Sequence, residues 1–147
     1  MNSIVVGVDF SDVTDKVLST AAKLARALGG DLHLVHICAP EPAPVGYETY
    51  MYPGPDELSG QLEAEKRRLK ELVDKLRAGG VNADASMKEA PVVSGLLDCA
   101  REKRAGMIVL GSHGHGMLTR MLLGSVAEGV IRKAAAPVLV VPVRDEG

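Results

Sequence analysis

Short runs of Val, Ile and Leu alternate along this chain with longer stretches whose apolar residues recur every three or four positions, and that alternation admits few folds. The first run, Ser3-Ile4-Val5-Val6-Gly7-Val8-Asp9, is continuously apolar, as in a strand buried on both faces. Behind it Val13, Val17, Ala21, Leu24 and Leu28 keep helical spacing. Ser11 is the expected N-cap, Asp12 and Asp15 place negative charge in the first turn, and Gly29-Gly30 stops the helix. Further strands are expected at Leu32 to Ile37, Val81 to Met87, Met107 to Leu110 and Val138 to Val141. The third of the five strands alternates polar and apolar, which suits a sheet edge.

A second helix is expected from about Asp56 to Ala78, with Leu58, Leu62, Leu69, Leu72, Val73 and Leu76 turned inward. Glu63 with Arg67 and Glu71 with Lys75 have the spacing of supporting ion pairs. Pro91 suits the first turn of a third helix carrying Val92, Val93, Leu96, Leu97 and Ala100, and a short fourth helix covers Val126 to Ala134. Gly129 sits inside that short helix, where glycine costs about 1 kcal/mol against alanine; the sequence alone gives no reason for it. Between strand 2 and helix 2, Ala39 to Pro55 holds five of the eight prolines and all three tyrosines, so a long loop is expected there.

Strict β-α-β alternation in 147 residues predicts a single α/β domain, a Rossmann-like five-stranded parallel sheet with helices on both faces. Two strand orders are common. In 2-1-3-4-5 the third strand separates the first from the fourth. In 3-2-1-4-5 the first and fourth are neighbours, and ligands bind beyond the carboxyl ends where the winding reverses. Only 3-2-1-4-5 brings Asp9 beside the segment Gly111 to Ser125, and that order is the one expected.

That segment reads GSHGHGMLTRMLLGS, with Gly111, Gly114, Gly124 and Ser125 in the pattern G-x2-G-x9-G-[ST]. It leaves a strand and ends at a helix N-terminus, where bare amides and the helix dipole favour an anion. The glycines let the backbone approach phosphate without a Cβ in the way. Ser125 can add a hydroxyl, though Ser125-Val126-Ala127-Glu128 also reads as a capping box. No lysine adjoins Gly124-Ser125, so the segment is not a P-loop and fast phosphoryl transfer is not expected. Asp9 can accept hydrogen bonds from ribose hydroxyls or can close a local turn before the first helix. Arg120 can reach towards phosphate or stand in solvent.

The remaining reactive side chains carry less. His113 and His115 flank Gly114 without a third ligand, a poor zinc set, and neither a catalytic residue nor a metal ligand is assigned. His33 and His36, three apart on a strand, face opposite ways. Cys38 and Cys99 lack an evident histidine partner and are read as small buried apolar groups, free thiols in a cytoplasmic protein. Tyr47, Tyr50 and Tyr52 stand either as a lid over a base or as a surface loop. Aromatic residues make up 3% of the chain and the formal net charge is -2, which argues against nucleic acid as a partner. No signal peptide is visible, and no apolar run approaches the ~20 residues needed to span a bilayer.

The chain resembles the universal stress protein family, in its ATP-binding branch. The resemblance covers essentially the whole length and rests on Ile4-Val5-Val6-Gly7-Val8-Asp9-Phe10-Ser11, on Val35-His36-Ile37, and above all on GSHG…LLGSVAE up to Pro137-Val138-Leu139-Val140-Val141. It implies the 3-2-1-4-5 sheet and phosphates held by Gly111, Gly114, Gly124 and Ser125. It implies Asp9 on the ribose or adenine, the Ile37 backbone on the adenine edge, and Gly7, Leu110 and Val126 lining the site. ATP, ADP or AMP would be the ligand, with any Mg2+ or Mn2+ held through the phosphates. Family members pair as homodimers through the last strand, and Val138 to Val141 is apolar and uncharged, as such pairing requires.

The reading that follows is a nucleotide-dependent regulatory module of the stress response with slow or no hydrolysis. The alternative is a slow nucleotide hydrolase or adenylyl-transferring enzyme of the same α/β group. Adenylyl transferases of that architecture typically carry H-x-G-H after the first strand, where this chain has Asp9-Phe10-Ser11-Asp12. A dimeric scaffold without nucleotide is a third reading, and flavin binding a fourth.

Overall fold

The structure, a computed structural model, describes residues 3–38, 55–113 and 123–142. Five strands, β1 (Ser3–Gly7), β2 (Asp31–Cys38), β3 (Ala83–Glu89), β4 (Met107–Gly111) and β5 (Val138–Val141), form one sheet in the order β3-β2-β1-β4-β5. Every neighbouring pair is parallel. Between them run α1 (Thr14–Leu28), α2 (Pro55–Ala78), α3 (Val92–Glu102) and α4 (Ser125–Lys133). The expected α/β architecture and strand order are those observed, with β3 and β5 at the two edges.

The two-residue period of the strands divides the core. Ile4 and Val6 point with Leu32, Leu34 and Val109 towards α1 and α2, where Val17, Leu18, Ala21, Leu69 and Val73 cover them. Val5 points the other way with Val35, Ile37, Ile108 and Leu110, under Leu96, Cys99, Ala100, Ala127 and Val130 of α3 and α4. Ile4, Val5 and Val6 are all fully buried, which is why β1 reads as an unbroken apolar run.

Several local expectations are corrected. β1 stops at Gly7, so Asp9 stands two residues beyond the strand, exposed. The N-cap of α1 is Val13 and not Ser11, with no side-chain cap; the Ser11 carbonyl instead accepts the Thr14 amide at 3.0 Å. Leu28 and Leu62 are exposed, one at the last turn of α1 and the other on the wet side of α2. The side chain of Leu58 lies outside the described residues. Glu63 meets Lys66 at 3.5 Å and not the expected Arg67. Pro55 opens α2 and does not belong to the preceding loop. The helix stops hold: Gly29 (φ 67°) and Gly80 (φ 84°) adopt the left-handed backbone that glycine tolerates best.

Gly129 is explained by packing. A Cβ there would lie 2.8 Å from Cγ2 of Val93, so α3 and α4 approach too closely for any side chain at that position. The helix gives up intrinsic propensity for a close interhelical contact.

Candidate functional site

Where the chain reverses its winding between β1 and β4, a cleft of about 310 Å³ opens beyond the strand ends. That volume lies at the lower end of the roughly 300–1,000 Å³ of small-molecule sites. One lip is the β1 end, Gly7, Val8 and Asp9. The floor takes Val35 and Ile37 from β2, Leu96 from α3 and Leu110 from β4. The opposite lip is Gly111, Ser112 and His113 together with Gly124, Ser125 and Val126. Gly7, Asp9, Ile37, Leu110, Gly111, Gly124, Ser125 and Val126 thus all line one cavity. Gly114 lies outside the described residues, as do His115, Arg120 and the tyrosines of the 39–54 segment.

Asp9 has a local job. Its Oδ1 accepts the Ser11 amide at 2.9 Å and the Thr14 hydroxyl at 3.5 Å, closing the turn into α1. Phe10, next to it, has φ 59°, a left-handed backbone uncommon for a bulky residue. Its ring is held from two sides, by the His36 imidazole at 4.6 Å between centroids and by the Arg68 guanidinium at 4.5 Å. The Asp9 lip is therefore fixed by side chains from β2 and α2.

Ile37 presents backbone. The Val35 carbonyl accepts the Val8 amide at 2.9 Å, which fixes the β1-facing side of β2. Residues two apart in a strand aim their main-chain groups the same way, so Ile37 turns its amide and carbonyl past the end of β1. The register of β1 with β2 ends at Gly7 and Val35, and among the described residues no strand stands opposite Ile37 on that side.

On the opposite lip Ser112 is the organiser, a role that no motif in the sequence signals. Its amide donates to the Val141 carbonyl at 2.8 Å and its carbonyl accepts the Gly124 amide at 2.7 Å. Its hydroxyl lies 3.1 Å from His113 Nδ1. A Cβ on Gly124 would lie 3.0 Å from the Ser112 carbonyl oxygen, and one on Gly111 3.3 Å from that of His113, so both glycines stand where backbone approaches backbone.

The N-cap of α4 is Gly124, without a side-chain cap. The capping-box reading of Ser125 is thereby corrected: Ser125 is the first helical residue, and Glu128 reaches forward to Arg132 at 2.6 Å. The first main-chain bond of α4 is Glu128 to Gly124 at 3.0 Å. The helix therefore offers no internal acceptor to the amides of Ser125, Val126 and Ala127. His113 Nε2 is buried with no hydrogen-bond partner among the described residues, an uncompensated polar atom in the wall of the same cleft.

Elsewhere, His33 is buried with its ring nitrogens on Asp84 and on Ser86 at 2.9 Å, a structural use. Cys99 is buried as expected, and burial pushes its thiol pKa up. Cys38 departs from the expectation. It is only half-buried, its Sγ lies 3.7 Å from Glu65 Oε2, and burial and then the Glu65 charge raise its pKa. Among the described residues, no helix is long and apolar enough to cross a membrane.

The model of the universal stress protein family matches residues 1–142. Universal stress protein MJ0531 of Methanocaldococcus jannaschii is 33% identical over 140 residues, covering 94% of this chain and 80% of its own. Among solved structures, the hypothetical protein MJ0577 superposes with a TM-score of 0.81 at 25% identity, covering 99% of this chain and 98% of its own. The universal stress protein of Archaeoglobus fulgidus in complex with dAMP superposes with a TM-score of 0.66 at 31% identity, covering 95% and 97%.

Proposed function

The chain belongs to the universal stress protein family, and we propose that it is a nucleotide-dependent regulatory module whose cleft holds an adenine nucleotide, ATP or its products ADP and AMP. One observation carries the reading: the Asp9 carboxylate and the amide end of α4 line opposite lips of the same cavity. An anionic tail bound at one lip leaves a sugar at the other. His113 Nε2, without a partner among the described residues, adds a second polar group that a ligand would satisfy. The Archaeoglobus fulgidus relative was solved with dAMP, an adenine nucleotide.

In this reading Gly111, Gly114, Gly124 and Ser125 hold phosphates through main-chain amides and a hydroxyl. Asp9 accepts from the ribose; a carboxylate can take about four hydrogen bonds, so the turn and the sugar are compatible duties. Ile37 backbone meets the adenine edge, and Gly7, Leu110 and Val126 form the walls. A Mg2+ or Mn2+ ion would ride on the phosphates, as magnesium often does. With no lysine beside Gly124-Ser125, hydrolysis is at most slow.

The module acts as a homodimer. Val138 to Val141 forms an apolar edge strand, and occupancy of the neighbouring cleft would alter what the dimer presents to partners. The two unbridged cysteines suit a reducing, cytoplasmic setting.

The test is mass spectrometry of small molecules released from purified, denatured protein, followed by calorimetry of the emptied protein with ATP, ADP and AMP. An adenine nucleotide released and rebound stoichiometrically supports the reading. Protein that is consistently empty and gives no heat with any of the three overturns it.

A further inference from the structure

On the sheet face covered by α2, three donors of different chemistry converge. His36 Nε2 lies 3.0 Å from Glu65 Oε2. Cys38 Sγ lies 3.7 Å from the same oxygen. All three donor atoms fall within 4.8 Å of one another. Tetrahedral zinc, with bonds of about 2.0–2.3 Å, separates its ligand atoms by roughly 3.2–3.8 Å, so these spacings need only small side-chain adjustments.

Two of the three donors are oriented from behind. His36 Nδ1 donates to the Val8 carbonyl at 2.7 Å, which fixes the tautomer and leaves Nε2 as the nitrogen for a cation. Glu65 Oε1 accepts from Gln61 Nε2 at 3.3 Å, leaving Oε2 turned to His36 and Cys38. Histidine and cysteine reach one face because they are two apart on β2; glutamate comes from α2. The side chains of His36 and Glu65 are 13% and 18% exposed. That is buried enough to make charge balance matter and open enough for a water ligand.

We propose that His36, Cys38 and Glu65 bind one zinc-type divalent cation, with water completing a tetrahedral shell. Mixed nitrogen, sulfur and oxygen donors suit a borderline-soft ion, zinc before magnesium or calcium. On binding, the Cys38 proton passes to solvent. One thiolate, one carboxylate and one neutral imidazole then balance the two positive charges, so the site is neutral when filled. The site needs no nucleotide: of its three ligands only His36 also lines the cleft.

The experiment uses full-length protein stripped of nucleotide and metal, titrated with Co2+ as a spectroscopic probe and with Zn2+ against a chromophoric chelator. One equivalent of Co2+ should give tetrahedral d–d bands and a thiolate-to-cobalt charge-transfer band, displaced by one equivalent of Zn2+. Cys38→Ser should abolish the charge-transfer band and weaken Zn2+ at least tenfold. Glu65→Gln should weaken Zn2+ at least tenfold while keeping that band at saturating Co2+. Circular dichroism of each variant checks folding, and either variant alone decides the case if the other fails to fold. Absence of stoichiometric Zn2+ binding by the wild-type chain, or unchanged affinity and spectrum in the folded variants, would overturn the proposal. Because the protein is nucleotide-free throughout, failure of this site and failure of the nucleotide reading are separate results.

Discussion

The Gly124 amide donates to the Ser112 carbonyl across 2.7 Å, and this bond ties the start of α4 to the end of β4. The glycine-rich segment thus has both ends anchored, and its last glycine is tightly placed: a Cβ would lie 3.0 Å from the oxygen that its own amide binds, so that carbonyl would have to give way by a few tenths of an ångström. Gly124 has φ -63° and ψ 158°, open to any residue, so space and not backbone torsion selects glycine.

Gly124→Val should therefore force the two ends of the segment apart. We expect nucleotide affinity to fall at least tenfold by calorimetry, with a stability loss of about 1–3 kcal/mol in urea unfolding. Unchanged affinity would place the phosphates elsewhere.

Gly129→Ala should destabilise, against the rule for exposed helix interiors. Alanine is favoured there by about 1 kcal/mol, but the new methyl would meet Val93 Cγ2 at 2.8 Å, and overpacking costs typically 1–3 kcal/mol. In a Val93→Ala background the same substitution should become neutral or stabilising. The check is a double-mutant cycle by denaturant unfolding; additivity of the two changes would contradict the packing account.

Val140→Pro should weaken self-association and spare the fold. The Pro137 and Val141 carbonyls accept from Ile108 and Ser112 of the β4 side at 2.9 and 2.8 Å, so alternate residues Val138 and Val140 turn their main-chain groups to the open edge. Proline at 140 removes an outward donor only. Sedimentation should give a dimer for the wild type and a monomer for the variant, with the circular dichroism unchanged; a wild-type monomer, or a variant that still dimerises, would contradict pairing through this edge.

Stability should decline in alkali. Burial first, and the Glu102 charge second, raise the Cys99 thiol pKa, so the folded chain keeps that proton after the unfolded chain has lost it. Between the two values the unfolded state binds fewer protons, and stability falls as pH rises. The contribution is complete below the ordinary thiol value and disappears as pH climbs through the raised one. Cys99→Ala should flatten the alkaline limb of a stability–pH profile; an unaltered slope would contradict the assignment.

Much of the fold was legible because apolar periodicity reports burial directly. Ile4-Val5-Val6 is continuous because alternate residues meet different helix layers, and Pro137 and the paired glycines punctuate where expected. Boundaries were less legible where backbone groups compete for partners. Ser11 looked like a cap, yet the Asp9 carboxylate takes the Ser11 amide and Val13 is the N-cap. Ser125-x-x-Glu128 looked like a capping box, but Gly124 occupies the cap and Glu128 pairs with Arg132. Gly129 was opaque because its reason, Val93, lies on another helix. The site's glycines and Asp9 were legible as a pattern; the work of Ser112 was not, since its partners Val141 and Gly124 are brought to it by the sheet. His36 and Cys38 do share a strand face by simple alternation, and only Glu65, 27 residues beyond Cys38, required the tertiary structure.

In the proposed function, the amides at the start of α4 carry nucleotide binding most directly. Titrating ATP into isotopically labelled protein and following each backbone amide by NMR should shift Ser125, Val126 and Ala127 saturably. Ile37 should move with the same dissociation constant, from the far side of the cleft. Saturable binding that leaves those four amides unmoved, or no saturable shift anywhere, would contradict it.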